Sequence, residues 1–321
     1  MSSILRSLSL AKRGVLNYFM RRPLCVSFEV TYACNAHCRH CHLGGPTREE
    51  RAGPEKYGEL SARLQPVVAQ ISGGEPLLRP DLEHIIRAIR RPNRAPYIVL
   101  TTNGALLTKS RYLTLRESGV DEFSLSFDYP DERHDDFRRI PGLFRRISDF
   151  LGNFGPNEHK AVTLACVVQH DNFRELPKMV ELARRWNVRI NFSTYTWLRT
   201  NKKEYLVSKY ELAELKAIIR RIIEHKRRFG TVRTSDYVFK NMLHFFEHEG
   251  VPRCRAGEKF FVVNPNGTLS PCGLVIRDYA SPQEIKQKFL SCNTCVYCYT
   301  SIRGGSERPA LYLLRDSLSL L

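Results

Sequence analysis

No stretch of the 321 residues approaches the run of about 20 apolar side chains that a bilayer-spanning helix requires. Nor does the N-terminus carry the compact apolar core followed by small residues that marks a secretory signal. A cytoplasmic location is the expectation, and a reducing compartment disfavours disulfides among the ten cysteines, leaving clustered thiols as candidate metal ligands or catalysts. Low-complexity tracts are also missing, and 42% hydrophobic with 26% charged residues is the composition of a folded chain. Acid is the scarce charge: 33 Asp and Glu stand against 50 Lys and Arg, a formal net charge of +17. A solvated basic surface accounts for that excess, and so does an anionic partner such as an acidic redox protein, an anionic membrane surface or RNA.

Residues 3–22, SILRSLSLAKRGVLNYFMRR, place apolar side chains near helical spacing among five basic ones. Such a helix can lie on an anionic membrane, but packing on its own domain is the favoured reading. From residue 26 onward, apolar β-type runs alternate with helical patterns. Strands are expected at 26–31, 67–72, 97–101, 123–127, 162–168 and 189–193, with helices near 50–64, 80–91, 107–118, 142–153, 173–186 and 209–229. Six strand-then-helix units in series imply a parallel sheet, because each return to a parallel neighbour needs a crossover. The expected fold is α/β, a partial (β/α)6 TIM-like barrel. Its unusual segments follow successive strands: the cysteine run after the first, SGGEP after the second, TTNG after the third and SFDYPDERHD after the fourth. In a parallel barrel all of them emerge on the C-terminal face, where active sites are built.

The stretch CNAHCRHCHLGG, residues 34–45, brings Cys34, Cys38 and Cys41 together with three histidines. Two metal chemistries fit. A structural zinc would take the three thiolates and a histidine in a closed tetrahedron. An iron-sulfur cube held by three cysteines would keep one iron open to a non-protein ligand. The two glycines and single carboxylate of Gly73-Gly74-Glu75-Pro76, after the next strand, point to a small cationic ligand approaching the backbone there.

With these residues the sequence resembles a radical S-adenosylmethionine (SAM) enzyme. The resemblance implies that CxxxCxxC holds a [4Fe-4S] cluster whose open iron takes the amino and carboxylate groups of SAM. It departs mildly at His40, where the family usually has an aromatic side chain. It further implies that Glu75 pairs with the SAM ammonium, with Gly73 and Gly74 giving room, and that Asn103, Ser126 and Asp128 make ribose and carboxylate contacts. Arg138 matches an arginine common after the fourth strand. Taken singly, Asn103-Gly104 is an ordinary turn and Asp128 an ordinary strand end.

Beyond residue 230 the βα rhythm stops and five cysteines follow. NPNG between two apolar runs reads as a hairpin turn, drawing Cys254 and Cys272 toward each other. On this segment alone a zinc ribbon is as good a reading as an iron-sulfur site. The resemblance extends here, because Cys254, Gly267 and Cys272 match the signature of SPASM or twitch extensions. Five cysteines cannot ligate two closed cubes, which need eight. A twitch-type domain with one auxiliary [4Fe-4S] cluster is implied, its expected ligands Cys254, Cys272, Cys292 and Cys295, with Cys298 able to replace one of the last pair. Cys25 and Cys166 read as buried apolar residues. The expected domains are 1–24, a basic amphipathic helix; 25–230, the barrel; and 231–321, the auxiliary-cluster domain.

The implied activity is reductive cleavage of SAM to a 5′-deoxyadenosyl radical that abstracts hydrogen from a substrate carbon. The implied electron donor is an acidic flavodoxin or ferredoxin, which the basic balance suits. Substrates open at this stage are small molecules, lipid-like compounds and peptides. The 33 residues before Cys34 are too few for a peptide-recognition domain, which argues against a leader peptide, and the apolar termini tilt the expectation toward a lipid-like substrate. A ribosomal peptide-maturing SPASM enzyme is the first alternative. A zinc-stapled protein binding nucleic acid without catalysis is the second, and the disfavoured one.

Overall fold

The computed structural model describes residues 3–90, 95–155, 158–309 and 312. Helix α1 (Ser3–Phe19) precedes β1 (Cys25–Thr31), after which strands and helices alternate: α2 (Pro54–Leu64), β2 (Val68–Gly73), α3 (Leu82–Arg90), β3 (Tyr97–Thr102), α4 (Lys109–Ser118) and β4 (Glu122–Ser126). Two helices, α5 (Arg133–Arg138) and α6 (Leu143–Gly152), lead to β5 (Val162–Val168), α7 (Leu176–Arg185), β6 (Arg189–Thr194) and α8 (Leu212–Phe229). These strands are parallel in the order β6-β5-β4-β3-β2-β1, as six βα units require.

Strand alternation sorts the side chains. Ala69, Ile71, Ile98, Leu100, Phe123, Leu125, Leu164 and Ile190 face the helices and form the apolar core. The other face turns a polar row into the barrel, where Ser27 meets Ser72 at 3.0 Å and Gln70 donates to Thr101 at 3.0 Å.

The segment after residue 230 departs from expectation in two ways. It begins with α9 (Asp236–His248), capped by Ser235, which accepts from the Val238 N–H, and burying Phe239, Met242, Phe245 and Phe246. The hairpin expected around NPNG exists as β7 (Phe260–Val263) and β8 (Leu269–Ser270), but β7 pairs in parallel with β1 and continues the barrel sheet. The unpaired edge of β1 explains this, since its backbone groups need partners that only another strand supplies. A boundary drawn at 230 therefore divides the chain without dividing the sheet. Helices α10 (Pro282–Lys288) and α11 (Ser301–Ser306) complete the described chain.

Candidate active site

The cysteine loop leaves β1 at the C-terminal face and is sewn down at both ends. Cys34 exchanges backbone hydrogen bonds with Gly45, while His37 and Arg39 donate to the carbonyls of Arg138 and Phe137 in α5. At the foot of the loop, Gly74 N–H donates to the Thr31 carbonyl and Glu75 N–H to the Ala33 carbonyl. A Cβ on Gly73 or Gly74 would collide with the carbonyl oxygens of Thr31 and Ala33 respectively, and Gly73 sits at φ +132°. The approach of the cysteine loop by itself requires both glycines.

Each of the three sulfurs receives one N–H donor: Cys34 from Ala36 at 3.5 Å, Cys41 from Leu43 at 3.4 Å and Cys38 from the Arg138 guanidinium at 3.5 Å. Burial pushes the Cys34 thiol up to about 11, and the neighbouring Cys38 and Cys41 add to that, so the group gains from a positive metal core that removes its protons. Among the described residues no three His, Cys, Asp or Glu side chains converge closely enough to hold a single metal ion. A cube asks for less convergence, because each thiolate reaches a different iron. His40 lies flat on Phe137, ring centroids 4.9 Å apart, so it packs as an aromatic ring would.

Glu75 is fully buried and caps the turn after β2. It accepts from Leu77 N–H at 3.1 Å, the Thr102 hydroxyl at 2.7 Å and Asn103 N–H at 2.8 Å. Burial raises its pKa against these donors, and among the described residues it forms no ion pair. Asn103 holds Asn35 of the cysteine loop through its amide at 2.7 Å. Asp128 has both oxygens engaged, one by Val167 N–H at 3.1 Å and the other by Arg138. Burial is the largest influence on the Asp128 carboxyl and would raise it, but Arg138, His40, His134 and the Val167 N–H together hold it below its ordinary value. Asp128 therefore positions Arg138 against Cys38. Ser126, half-buried, ends β4 on the inner face.

His134, fully buried in α5, accepts from Asp128 N–H, and burial lowers its pKa to about 4. A base depressed in the folded state costs stability once the unfolded chain protonates. The protein should lose up to about 3 kcal/mol from this group as pH falls from about 6.5 to 4. Denaturant unfolding of wild type and His134→Asn at pH 7 and pH 4.5 checks this: the variant should show the smaller loss.

Among the C-terminal thiols the structure separates Cys298 from Cys292, the two between which the expected ligand set left a choice. Cys298 is buried, and Cys254, Cys272 and Cys295 all act on its thiol, which burial first of all pushes far up. Cys292 is exposed and directs its S–H to the Lys288 and Phe289 carbonyls. Cys254, Cys272 and Cys295 thus lie near enough to Cys298 to influence its charge, while Cys292 faces solvent. Arg303, completely buried, fixes the Cys298 carbonyl at 2.7 Å and pairs with Glu307.

Sequence reasoning passed over two residues between the cysteine groups. Glu29 on β1 is 4% exposed, and its Oε2 has no hydrogen-bond partner among the described residues. Its Oε1 faces Arg199 at 3.4 Å, and Arg199 in turn donates to the carbonyl of Gly273, beside Cys272. Burial raises the Glu29 pKa, with Arg199 opposing. A lone carboxylate inside the apolar run CVSFEVT was the available signal. In RRWNVRINFSTYTWLR, residues 184–199, where arginine and aromatic side chains mix, half-buried Trp186 packs against Phe127 and buried Phe192 against Phe239, so neither ring is free to stack on a base.

Residues 28–183 match the model of the radical SAM superfamily. Over 265 residues the chain is 28% identical to a PqqA peptide cyclase of Granulibacter bethesdensis, covering 78% of this chain and 67% of that protein. It is 24% identical over 300 residues to an AdoMet-dependent heme synthase of Oleidesulfovibrio alaskensis, covering 82% and 74%. The fold is similar to that of Streptococcus suis SuiB bound to S-adenosylmethionine, with a TM-score of 0.61 at 16% identity, over 91% of this chain and 71% of that one.

Proposed function

Because this chain belongs to the radical SAM superfamily, we propose that Cys34, Cys38 and Cys41 hold its [4Fe-4S] cluster and that the enzyme oxidises or cross-links a peptide. When bound, cluster and SAM supply a 5′-deoxyadenosyl radical for hydrogen abstraction. The observation that carries the ligand assignment is the set of three sulfurs, each with its own N–H donor, beside a buried carboxylate lacking a cation. Glu75 takes the SAM ammonium. Asn103 ties the turn after β3 to the cysteine loop, Ser126 offers a hydroxyl on the inner face, and Arg138, oriented by Asp128, tempers the charge on the Cys38 thiolate.

Glu75→Gln keeps the shape and removes the charge. SAM affinity should fall about 10- to 100-fold at unchanged iron content, the loss of one charge-assisted contact. Equilibrium dialysis under nitrogen measures it, and unaltered affinity would remove Glu75 from the site.

The polar inner face supports a peptide over a lipid tail. Ser27, Gln70, Ser72 and Thr101 line it, and Glu29 with Arg199 offers an unmet acceptor beside a donor, the pairing an amide backbone satisfies. A relative named for a peptide favours the same class. Cys254, Cys272, Cys295 and Cys298 would hold an auxiliary cluster, which when bound would supply an electron acceptor for oxidation of the substrate. An acidic flavodoxin or ferredoxin supplies electrons to the basic surface. Replacing Cys254 and Cys272 by Ala should lower iron from about eight to about four per chain and block substrate oxidation. Mass spectrometry of peptide substrates, reading the loss of two hydrogens, checks the second effect. Full turnover without those thiols would leave the auxiliary site a structural role only.

A further inference from the structure

Helix α1 meets the barrel with its polar side. Asn17, 2% exposed, donates to the carbonyls of Pro23 and Gln65, both at 2.8 Å. Arg6 pairs with Asp121 at 2.5 Å, and Arg13 donates to the Pro66 carbonyl at 3.4 Å. At 100° per residue these side chains share one face. Leu8, Val15, Leu16 and Phe19 project from the other, 39% to 76% exposed, with Lys12 among them and exposed Met20, Arg21 and Arg22 just beyond. Packing on its own domain, the expectation from sequence, holds for this edge and for Leu10, Ala11, Gly14 and Tyr18, which line a cavity against the barrel with Val15 and Phe19 at its rim, and leaves Leu8 and Leu16 outside. Apolar groups normally go inward, and a contiguous apolar face left in solvent marks a contact surface.

We propose that this face of α1 seats the protein peripherally on a bilayer rich in anionic lipid. The charge selects that occupant. Residues 3–22 hold five basic and no acidic side chains, so the apolar strip is framed by positive charge alone. A second copy docked face to face would oppose Lys12 and the Arg21-Arg22 pair to their equals with no carboxylate on either helix. No described helix is long and apolar enough to cross a membrane, so the contact is interfacial.

The position of α1 decides what such docking does to the active site. Its contacts, Pro23, Gln65, Pro66, Asp121 and Lys259, directly precede β1, β2, β4 and β7. The helix therefore crosses the N-terminal face of the barrel, opposite the cysteine loop. A docked enzyme opens its site toward water, and substrate and electron donor arrive from the aqueous side.

Sedimentation of the reconstituted protein with vesicles tests this. Phosphatidylcholine vesicles with about one-third phosphatidylglycerol should carry it down, pure phosphatidylcholine should not, and binding should weaken as salt rises. Leu16→Glu with Phe19→Glu should lower the partition coefficient at least about tenfold. Circular dichroism verifies that this variant is folded. Absence of sedimentation, equal sedimentation of the variant, or equal binding to both vesicle types would overturn the proposal. So would a wild-type dimer in light scattering that the double variant abolishes, because the face would then belong to a second copy.

Discussion

Alanine at Cys34, Cys38 and Cys41 together abolishes reductive cleavage of SAM, while iron held by the C-terminal thiols persists. The expectation follows from where these sulfurs sit. Each has a separate N–H donor and none has a nearby substitute thiol, since Cys25 and Cys166 lie within strands. Removing all three takes away the proposed ligands of the first cluster, so electron delivery to the sulfonium should stop. Anaerobic incubation with dithionite and SAM, reading 5′-deoxyadenosine by chromatography, should return the level of a protein-free control. Iron should fall from about eight to about four per chain. Retained cleavage would mean that another group binds SAM.

Gly74→Ala has the second large effect, although Gly74 touches no proposed ligand. The added methyl has no free direction. It meets the Ala33 carbonyl oxygen and carbon and the Tyr32 carbonyl oxygen, all of them backbone. Overpacking against backbone costs about 1–3 kcal/mol or more. The relief available is to lift the cysteine loop off the barrel, breaking the Glu75 N–H contact to Ala33. The barrel core is remote from this joint and should survive. The variant should fold, with unchanged circular dichroism, yet bind the first cluster poorly, so its iron content should approach that of the triple cysteine variant. A normal iron content would show that the loop tolerates displacement.

All six barrel strands could be placed from runs such as VVAQIS and YIVLT, because buried parallel strands write themselves as short apolar stretches between breakers. The cysteine spacing and its place after β1 pointed to the cofactor chemistry. Pairings distant in sequence stayed hidden. Gly74 lies 41 residues from Ala33's side of the joint by no local rule, and its role emerges only when β2 is set beside β1. Cys292 and Cys298 flank Cys295 symmetrically, so spacing could not choose between them; the short turn Leu290–Cys292 turns one outward and the fold buries the other. Helix α9 falls where the βα alternation ends, so no strand pattern frames it; its signals are the Ser235 cap and the apolar spacing of Val238, Phe239, Met242, Phe245 and Phe246. Arg199 lies outside every motif and is joined to Glu29 only by the closure of the barrel.

Electron paramagnetic resonance of dithionite-reduced protein, prepared without oxygen and with Cys254 and Cys272 replaced by alanine, reports on the first cluster alone. A reduced cubane signal whose g values shift on addition of SAM is the result predicted by a cluster with one iron free for the cofactor. A cubane signal indifferent to SAM, or stoichiometric zinc with no cubane signal, would contradict it.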